Sequence, residues 1–350
     1  MKTLHVRFDR PERVYYPGDV ITGKVELHAD KDFTCTSLSC DLMWYAHGVG
    51  NTRENSVESK ELASGHVAAG THEYPFSFEL PPGPYTWRGE TINLDWGVKA
   101  TADIPWARDP SDRADFVLAV GPVAAPPEPM HAQDALMTEN GVGGVIIGVV
   151  ALLFGVGMIG VAFVGEGDAF CCGLISLIAG FVFFTMGMHR FMAARMVGEV
   201  RFSCEPWPLH PGQTLTHMVT FTPQMSMRLS SMKATLTGKE IAIQGYGTDK
   251  TTYTHTFYER EVQLCGQGSL PSGQEAVFVG VFELPEDAPY SFQCADNRFV
   301  WEINTHMDIP MWPDWDDTHA LEVSPDYEQL RKPANELLDA PTGGPEGPAW

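Results

Sequence analysis

Apolar and polar residues alternate along both outer stretches of the chain. Ile21, Val25 and Leu27 alternate with Thr22, Lys24 and Glu26, and Phe76, Phe78 and Leu80 alternate with Ser77 and Glu79. Further on, Leu215, Val219 and Phe221 alternate with Thr214, Thr216 and Thr220. Successive side chains of a strand point to opposite faces, so this period of two predicts half-buried antiparallel strands. The run over 251–264, rich in Thr and aromatic residues, has strand chemistry too. No amphipathic helix of useful length is predicted in either stretch.

The middle of the chain follows a different pattern. Residues 141–165 carry no charge, and after Glu166-Gly167-Asp168 a second uncharged run covers 169–188. A membrane-crossing helix needs about 20 apolar residues, and each run reaches that length. Two such runs divided by an acidic turn predict a transmembrane helical hairpin over 141–190. Gly144, Gly148, Ala151 and Gly155 would share one helical face, and Gly173, Ser176, Gly180 and Gly187 a looser one. Small residues let helix backbones approach closely, so these positions suit packing of the two helices on each other, or a docking face for a membrane partner. Arg190, Arg195 and Arg201 follow the second run, whereas the turn has no basic residue. The positive-inside rule then places both flanking regions and both termini in the cytoplasm, with the chain integral to a plasma or inner membrane. The start of the sequence has no apolar stretch of the kind a cleavable signal needs.

The two flanking regions also resemble each other. Pro17-Gly18 corresponds to Pro211-Gly212, and Leu38 and Leu42 to Met232 and Leu236, at an offset of 194. Phe78-Glu79-Leu80-Pro81 corresponds to Phe282-Glu283-Leu284-Pro285 at an offset of 204. Pro84-Tyr85, Trp96 and Asp103-Ile104-Pro105 match Pro289-Tyr290, Trp301 and Asp308-Ile309-Pro310 at an offset of 205. A collinear series of this length points to a duplicated unit, and short strands with frequent turn signals make each copy a β-sandwich. The expected organisation is therefore a first sandwich over 1–120, a Pro/Ala-rich linker over 121–140, the hairpin over 141–190 (spans 141–165 and 169–188), a second sandwich over 198–323 and a disordered tail over 324–350.

At Tyr16-Pro17-Gly18-Asp19-Val20-Ile21-Thr22-Gly23-Lys24-Val25-Glu26-Leu27 the sequence resembles the opening of an arrestin-like N domain. The stretch Tyr74–Pro81, then Ile92 through Val98-Lys99-Ala100 and Asp103-Ile104-Pro105, is similar to later strands of the same family. The resemblance covers roughly 1–120 and, more weakly, 198–323. It implies two linked β-sandwiches, immunoglobulin-like in build, that act as a non-enzymatic adaptor for membrane-protein cargo. A usual member has a short linker where this chain has the uncharged runs. No PPxY motif is present, because Pro81-Pro82-Gly83-Pro84-Tyr85 has the wrong spacing. None of the family's phosphate-sensing residues maps onto this chain.

Composition narrows the function. There are 23 Lys and Arg against 45 Asp and Glu, a net charge of −22, which argues against a nucleic-acid partner. Aromatic residues reach 11%, so the chain has the means to build cores. The seven cysteines include no CxxC and no zinc spacing, and read as small apolar residues. His217 and His255 sit in strand patterns and read as structural. Asp314, Asp316 and Asp317 form the most suggestive acidic cluster for calcium, but the matching first-half loop, 108–113, mixes signs, which favours a solvated loop. Trp106, Trp312 and Trp315 flank these loops as packing residues or partner anchors. No catalytic motif stands out, and no catalytic, metal or cofactor residue is expected. The leading reading is a membrane-anchored adaptor or scaffold that binds protein partners through both sandwiches. The alternatives are an accessory subunit of a membrane transport or secretion complex, docked through the hairpin, and an enzyme with a site in the sandwich loops.

Overall fold

The computed structural model describes residues 2–121, 149–154, 156 and 168–326. The chain is mainly β. In the first half the strands are β1 (Lys2–Phe8), β2 (Val14–Tyr15), β3 (Val20–Ala29), β4 (Phe33–Gly48), β5 (Arg53–Val67), β6 (Gly70–Glu79), β7 (Trp87–Arg88), β8 (Ile92–Asp103) and β9 (Ser111–Leu118). A three-stranded sheet runs β1-β3-β6, and a six-stranded sheet runs β2-β9-β8-β4-β5 with β7 beside β8. The alternation read from the sequence is the reason the two sheets stack. Ile21, Val25 and Leu27 of β3 and Phe76 and Phe78 of β6 face Leu38 and Leu42 of β4 and Trp96 and Val98 of β8 in one buried core. The polar residues between them face outwards.

A helix, α1 (Asp168–Val197), leads into the second half. There the strands are β10 (Val200–Glu205), β11 (Thr214–Phe221), β12 (Met227–Leu229), β13 (Ser231–Gln244), β14 (Thr251–Cys265), β15 (Gly268–Leu270), β16 (Ala276–Glu283), β17 (Phe292–Gln293), β18 (Asn297–Asp308) and β19 (Trp315–Leu321). A three-stranded sheet runs β10-β11-β16, and a five-stranded sheet runs β14-β13-β18-β17 with β19 beside β18. This repeats the first half strand for strand, with two differences. The counterpart of β2 shrinks to a single parallel bridge, Leu209 to Val323. The pair β12–β15 is added.

The repetition extends to single hydrogen bonds. Trp96 Nε1 donates to Pro84 O at 2.6 Å, and Trp301 Nε1 to Pro289 O at 2.8 Å. Leu80 N donates to Asp19 O at 2.9 Å, and Leu284 N to Gln213 O at 2.9 Å, each beside the equivalent glycine, Gly18 or Gly212. Both glycines have positive φ, 79° and 77°, which a Cβ would oppose. Each buried indole thus fills its core with its N–H satisfied, the condition under which a large aromatic is fully stabilising.

The membrane hairpin expected over 141–190 requires correction. Among the described residues, no helix is long and apolar enough to cross a membrane. The expectation took the absence of charge as the mark of a span. The second run does not stand apart as one: α1 continues past Met188 through His189, Arg190 and Arg195, and its last residues, Met196 and Val197, are buried in the core of the second half with Val219, Phe221 and Leu229. The helix is thus tied into the sandwich. Of the first expected span, only 149–154 and 156 are described, as helix; the rest of it, the 122–140 part of the expected linker and the tail beyond Asp326 lie outside the described residues. The placement integral to a plasma or inner membrane, with cytoplasmic flanks inferred from the hairpin, falls with it.

The two halves meet along a seam with an apolar centre. Ala46, Ile92 and Leu94 pack against Ala242, Phe292 and Phe299. Trp44 meets Phe292 edge-on at 5.6 Å, and Trp87 meets Phe299 at 6.1 Å. Backbone pairing crosses the seam: Asn51 N donates to Ile243 O at 2.8 Å, next to Ile243 N donating to Asp296 O at 2.8 Å.

Candidate functional site

Three places hold polar or reactive side chains in unusual settings. The first is the seam. Glu240, near the end of β13, is buried. Its carboxylate accepts from the backbone N–H groups of Glu90 at 3.2 Å, Thr91 at 2.6 Å and Ile92 at 3.1 Å, and from Thr91 Oγ1 at 2.8 Å. The turn before β8 therefore wraps one carboxylate from the other half. Gly89 permits this, since a Cβ there would sit 2.1 Å from Glu240 Oε1. On the other side of the seam, Asp296 receives Arg53, and Asn51 Nδ2 donates to Gly245 O at 3.0 Å while Gly245 N donates to Asn51 Oδ1 at 3.1 Å. Asp95, also buried, contacts Arg88 at 2.5 Å and His47 at 2.7 Å. Donor and acceptor are matched at each carboxylate, which is the chemistry of a clamp.

The second place lies in the core of the second half. Cys204 Sγ is 3.5 Å from His217 Nδ1, and His217 Nε2 is 3.2 Å from Thr305 Oγ1. Phe202 stacks on His217 and touches His319. A Cys beside a His invites comparison with a nucleophile and its base. The electrostatics oppose that role. Burial pushes the Cys204 thiol up to about 11. Burial, and then the neighbouring His319, push His217 down to about 4. Both groups are neutral near pH 7, and neither activates the other. Packing explains the histidine. In the first half, Gly23 of β3 faces Phe76 of β6, whose ring fills the space above it. At the same register in the second half, His217 faces Gly280. The ring has moved from one strand to its neighbour, and the cavity is filled either way.

The third place comprises the loops and strand edges. Asp314 accepts from Ile309 N at 3.3 Å, Asp316 pairs with His306 at 2.7 Å, and Asp317 accepts from Thr318 N at 2.8 Å. The three carboxylates thus serve separate partners, and among the described residues no group of three or more His, Cys, Asp or Glu side chains is placed to hold a metal ion. Trp315 is buried against the second core, whereas Trp312 and Trp106 are exposed. His255 is half-buried in β14.

Of the small-residue positions, Gly144, Gly148 and Gly155 lie outside the described residues, and Gly173 and Ser176 lie within α1. Gly180 is brought against Ala151: a Cβ on Gly180 would stand 3.1 Å from Ala151 Cβ and 2.7 Å from Leu152 N. The sequence reading missed the seam residues Glu240 and Asp296. Glu240 did carry a signal, as a lone carboxylate in the β13 run whose neighbours alternate towards the interior.

No curated protein matches this chain. Residues 47–123, which hold β5 to β9 and the last residues of β4, match the family model of the arrestin (or S-antigen) N-terminal domain, so that stretch of the first half is similar to an arrestin N domain.

Proposed function

We propose that the chain is a non-enzymatic adaptor that holds a protein partner on two β-sandwich modules, residues 1–120 and 198–323, acting as one body. The similarity of residues 47–123 to the arrestin N domain supports the adaptor class. The observation that carries the reading is the clamp at Glu240. A buried carboxylate that takes four hydrogen bonds from the opposite half holds the modules in fixed relation, which a scaffold presenting one composite surface needs and a pair of independent beads does not. The neutral Cys204–His217 pair adds no reactive group. Within the helical segment, the approach of Gly180 to Ala151 supports helix packing as the use of the small residues.

Acidity defines the partner. Residues 1–120 hold 12 basic and 18 acidic groups, net −6, and residues 198–323 hold 7 and 17, net −10. A partner with basic or neutral contact surfaces is therefore favoured, and its binding should weaken with salt. The test is capture of partners by the full-length tagged chain at low and high ionic strength, beside a screen for small-molecule turnover. A protein retained stoichiometrically at low salt and released at high salt is expected. Turnover without a retained protein would remove the reading.

A further inference from the structure

The duplication supplies an internal control for the surface, because the same three-stranded sheet occurs twice with different outward residues. In the first half the outward face of β1-β3-β6 is charged. Arg7 pairs with Glu26 at 2.9 Å, and Lys24 pairs with Glu73 at 2.7 Å. The free edge of β6 is also blocked. Leu80 N bonds Asp19 O, so with the antiparallel register the backbone groups of Thr71, Glu73, Pro75, Ser77 and Glu79 point away from β3. Pro75 has no N–H to offer there, and Lys60 Nζ occupies the carbonyl of Ser77. Proline and lysine on an edge are the devices by which sheets avoid pairing with another chain.

The second half lacks every one of these devices. Glu73, Pro75 and Ser77 correspond to Val277, Val279 and Val281 at the offset of 204, and Lys24 corresponds to Met218. The three valines are 51%, 49% and 53% exposed, in a row along β16. Leu284 N bonds Gln213 O, so the N–H and C=O groups of Val277, Val279 and Val281 point to the free edge, where β16 ends its sheet among the described strands. Among the described residues, hydrogen bonding occupies that edge only near the end of the row, where Tyr258 Oη donates to Glu283 O at 2.8 Å. β5 and β14, the other long edges, are rich in polar and charged residues and have irregular register. β16 is the β-branched exception, with an unbroken register.

The geometry points to the free edge of β16 as the site where an extended segment of a partner protein adds as a further antiparallel strand. The segment would carry aliphatic residues at alternate positions and a basic residue at each end. The row Val277–Val279–Val281 is bracketed by Glu283 on the same face and by the exposed Glu275 immediately before the strand. Pairing β16 with a second copy about Val279 would set Glu275 opposite Glu283 at both ends, and like charges directly opposite destabilise a strand pair. A strand with Lys or Arg at those positions meets the carboxylates instead, while its backbone completes the open ladder. This inference rests on the adaptor reading and names its contact surface and partner chemistry.

The test uses the full chain and the capped nonapeptide Lys-Thr-Val-Thr-Val-Thr-Val-Thr-Lys, with fluorescence anisotropy as the readout. A peptide with glutamates in place of both lysines is the control. The key variant is Val279→Pro, which copies into β16 the residue that β6 already has and removes an N–H that points to the free edge. Binding of the lysine peptide to the parent chain, weakened tenfold or more by V279P and by high salt, is expected. The double change Glu275→Lys and Glu283→Lys should reverse the preference in favour of the glutamate peptide. Should V279P misfold by circular dichroism, Val279→Lys serves in its place. No binding to the parent chain, or equal binding to parent and V279P, overturns the proposal. So does a parent dimer that V279P dissociates, since the occupant is then a second copy. A natural partner that V279P still retains also overturns it, and leaves the adaptor reading standing. Failure of the parent chain to retain any protein removes the adaptor reading itself.

Discussion

Tyr85 and Tyr290 occupy equivalent positions in the two halves, and their rings meet with centroids 5.5 Å apart. A residue that touches its own counterpart lies on a local two-fold axis, as at an isologous dimer interface. Asn51 and Gly245 are a second pair of this kind, at the offset of 194 and joined by two hydrogen bonds. The seam is therefore built like the interface of a symmetric dimer whose two copies now share one chain. Its chemistry has since diverged. Glu240 stands where the first half has Ala46, so only one of the two symmetry-related turns is held by a carboxylate.

The tyrosine pair should be energetically coupled. Aromatic pairs of this spacing contribute about 0.5–1.5 kcal/mol beyond their burial. A double-mutant cycle with Tyr85→Leu and Tyr290→Leu, read by urea unfolding, should give a coupling in that range. Strictly additive single changes would show that the rings are neighbours without being partners.

The clamp at Glu240 should dominate the stability of the seam. Glu240→Ala leaves three backbone N–H groups and the Thr91 hydroxyl without their acceptor in a largely buried site. Each unsatisfied buried donor costs about 1–3 kcal/mol, so a loss of at least ~3 kcal/mol is expected. Glu240→Gln keeps one accepting oxygen and should fall between parent and alanine variant. Gly89→Ala should also destabilise, since its Cβ would stand 2.1 Å from Glu240 Oε1 and 2.6 Å from Ile92 O. Denaturant midpoints together with protease sensitivity around 89–92 report the effect. An unchanged midpoint in E240A would contradict the role assigned to the carboxylate.

Much of the strand pattern is readable in the sequence because burial acts on local alternation. Ile21, Val25 and Leu27 are buried in β3 where their period of two puts them. The matched residues also carry matched bonds, as Trp96 and Trp301 show through their carbonyl partners at Pro84 and Pro289. The seam was not readable. Glu240 and Thr91 are 149 positions apart, and no local rule connects them. The uncharged runs misled for a related reason. Freedom from charge over 169–188 is a local property, whereas the burial of Met196 and Val197 in the second core depends on where α1 ends in three dimensions. The open edge of β16 became visible only when Val279 could be set beside Pro75 in the same register.

Acid should weaken the second half through His217. Its folded pKa is pushed down to about 4 by burial, while the unfolded chain titrates near the ordinary value of 6.5. Between those values the unfolded state binds the extra proton, so stability is full above pH 6.5 and declines as the pH falls towards 4. His319, also pushed down by burial, adds in the same direction, with Asp317 opposing it. A shift of this size corresponds to about 3 kcal/mol for His217 at the acid end. The groups facing His217 are Cys204, Thr305, Phe202 and His319. Urea midpoints at pH 7.5, 6 and 5 should fall steadily in the parent chain and less steeply in His217→Gln. Parallel pH profiles would assign the acid response elsewhere.

Two equivalent turns hold unfavourable backbone at their tips, and relieving it should stabilise the protein. In Ile104-Pro105-Trp106-Ala107, Ala107 N donates to Ile104 O at 3.2 Å, and in Ile309-Pro310-Met311-Trp312, Trp312 N donates to Ile309 O at 3.0 Å. Proline second and a positive φ third define a type II turn, whose third position favours glycine. Here Trp106 has φ 61° and Met311 has φ 68°. A side chain in the left-handed region costs on the order of 1 kcal/mol unless its contacts compensate. Neither residue has such compensation, because both are fully exposed, at 104% and 99%. Trp106→Gly and Met311→Gly should therefore each raise stability by about 0.5–1 kcal/mol, and the two effects should add because the turns belong to different halves. The equivalent pair Gly18 and Gly212 supplies the opposite case. Both already have glycine at positive φ, and Ala at either should lower stability by a similar amount. Thermal and urea unfolding of the four variants would test the sign at each position. A loss of stability in W106G or M311G would show that these exposed side chains hold the turns through contacts of their own.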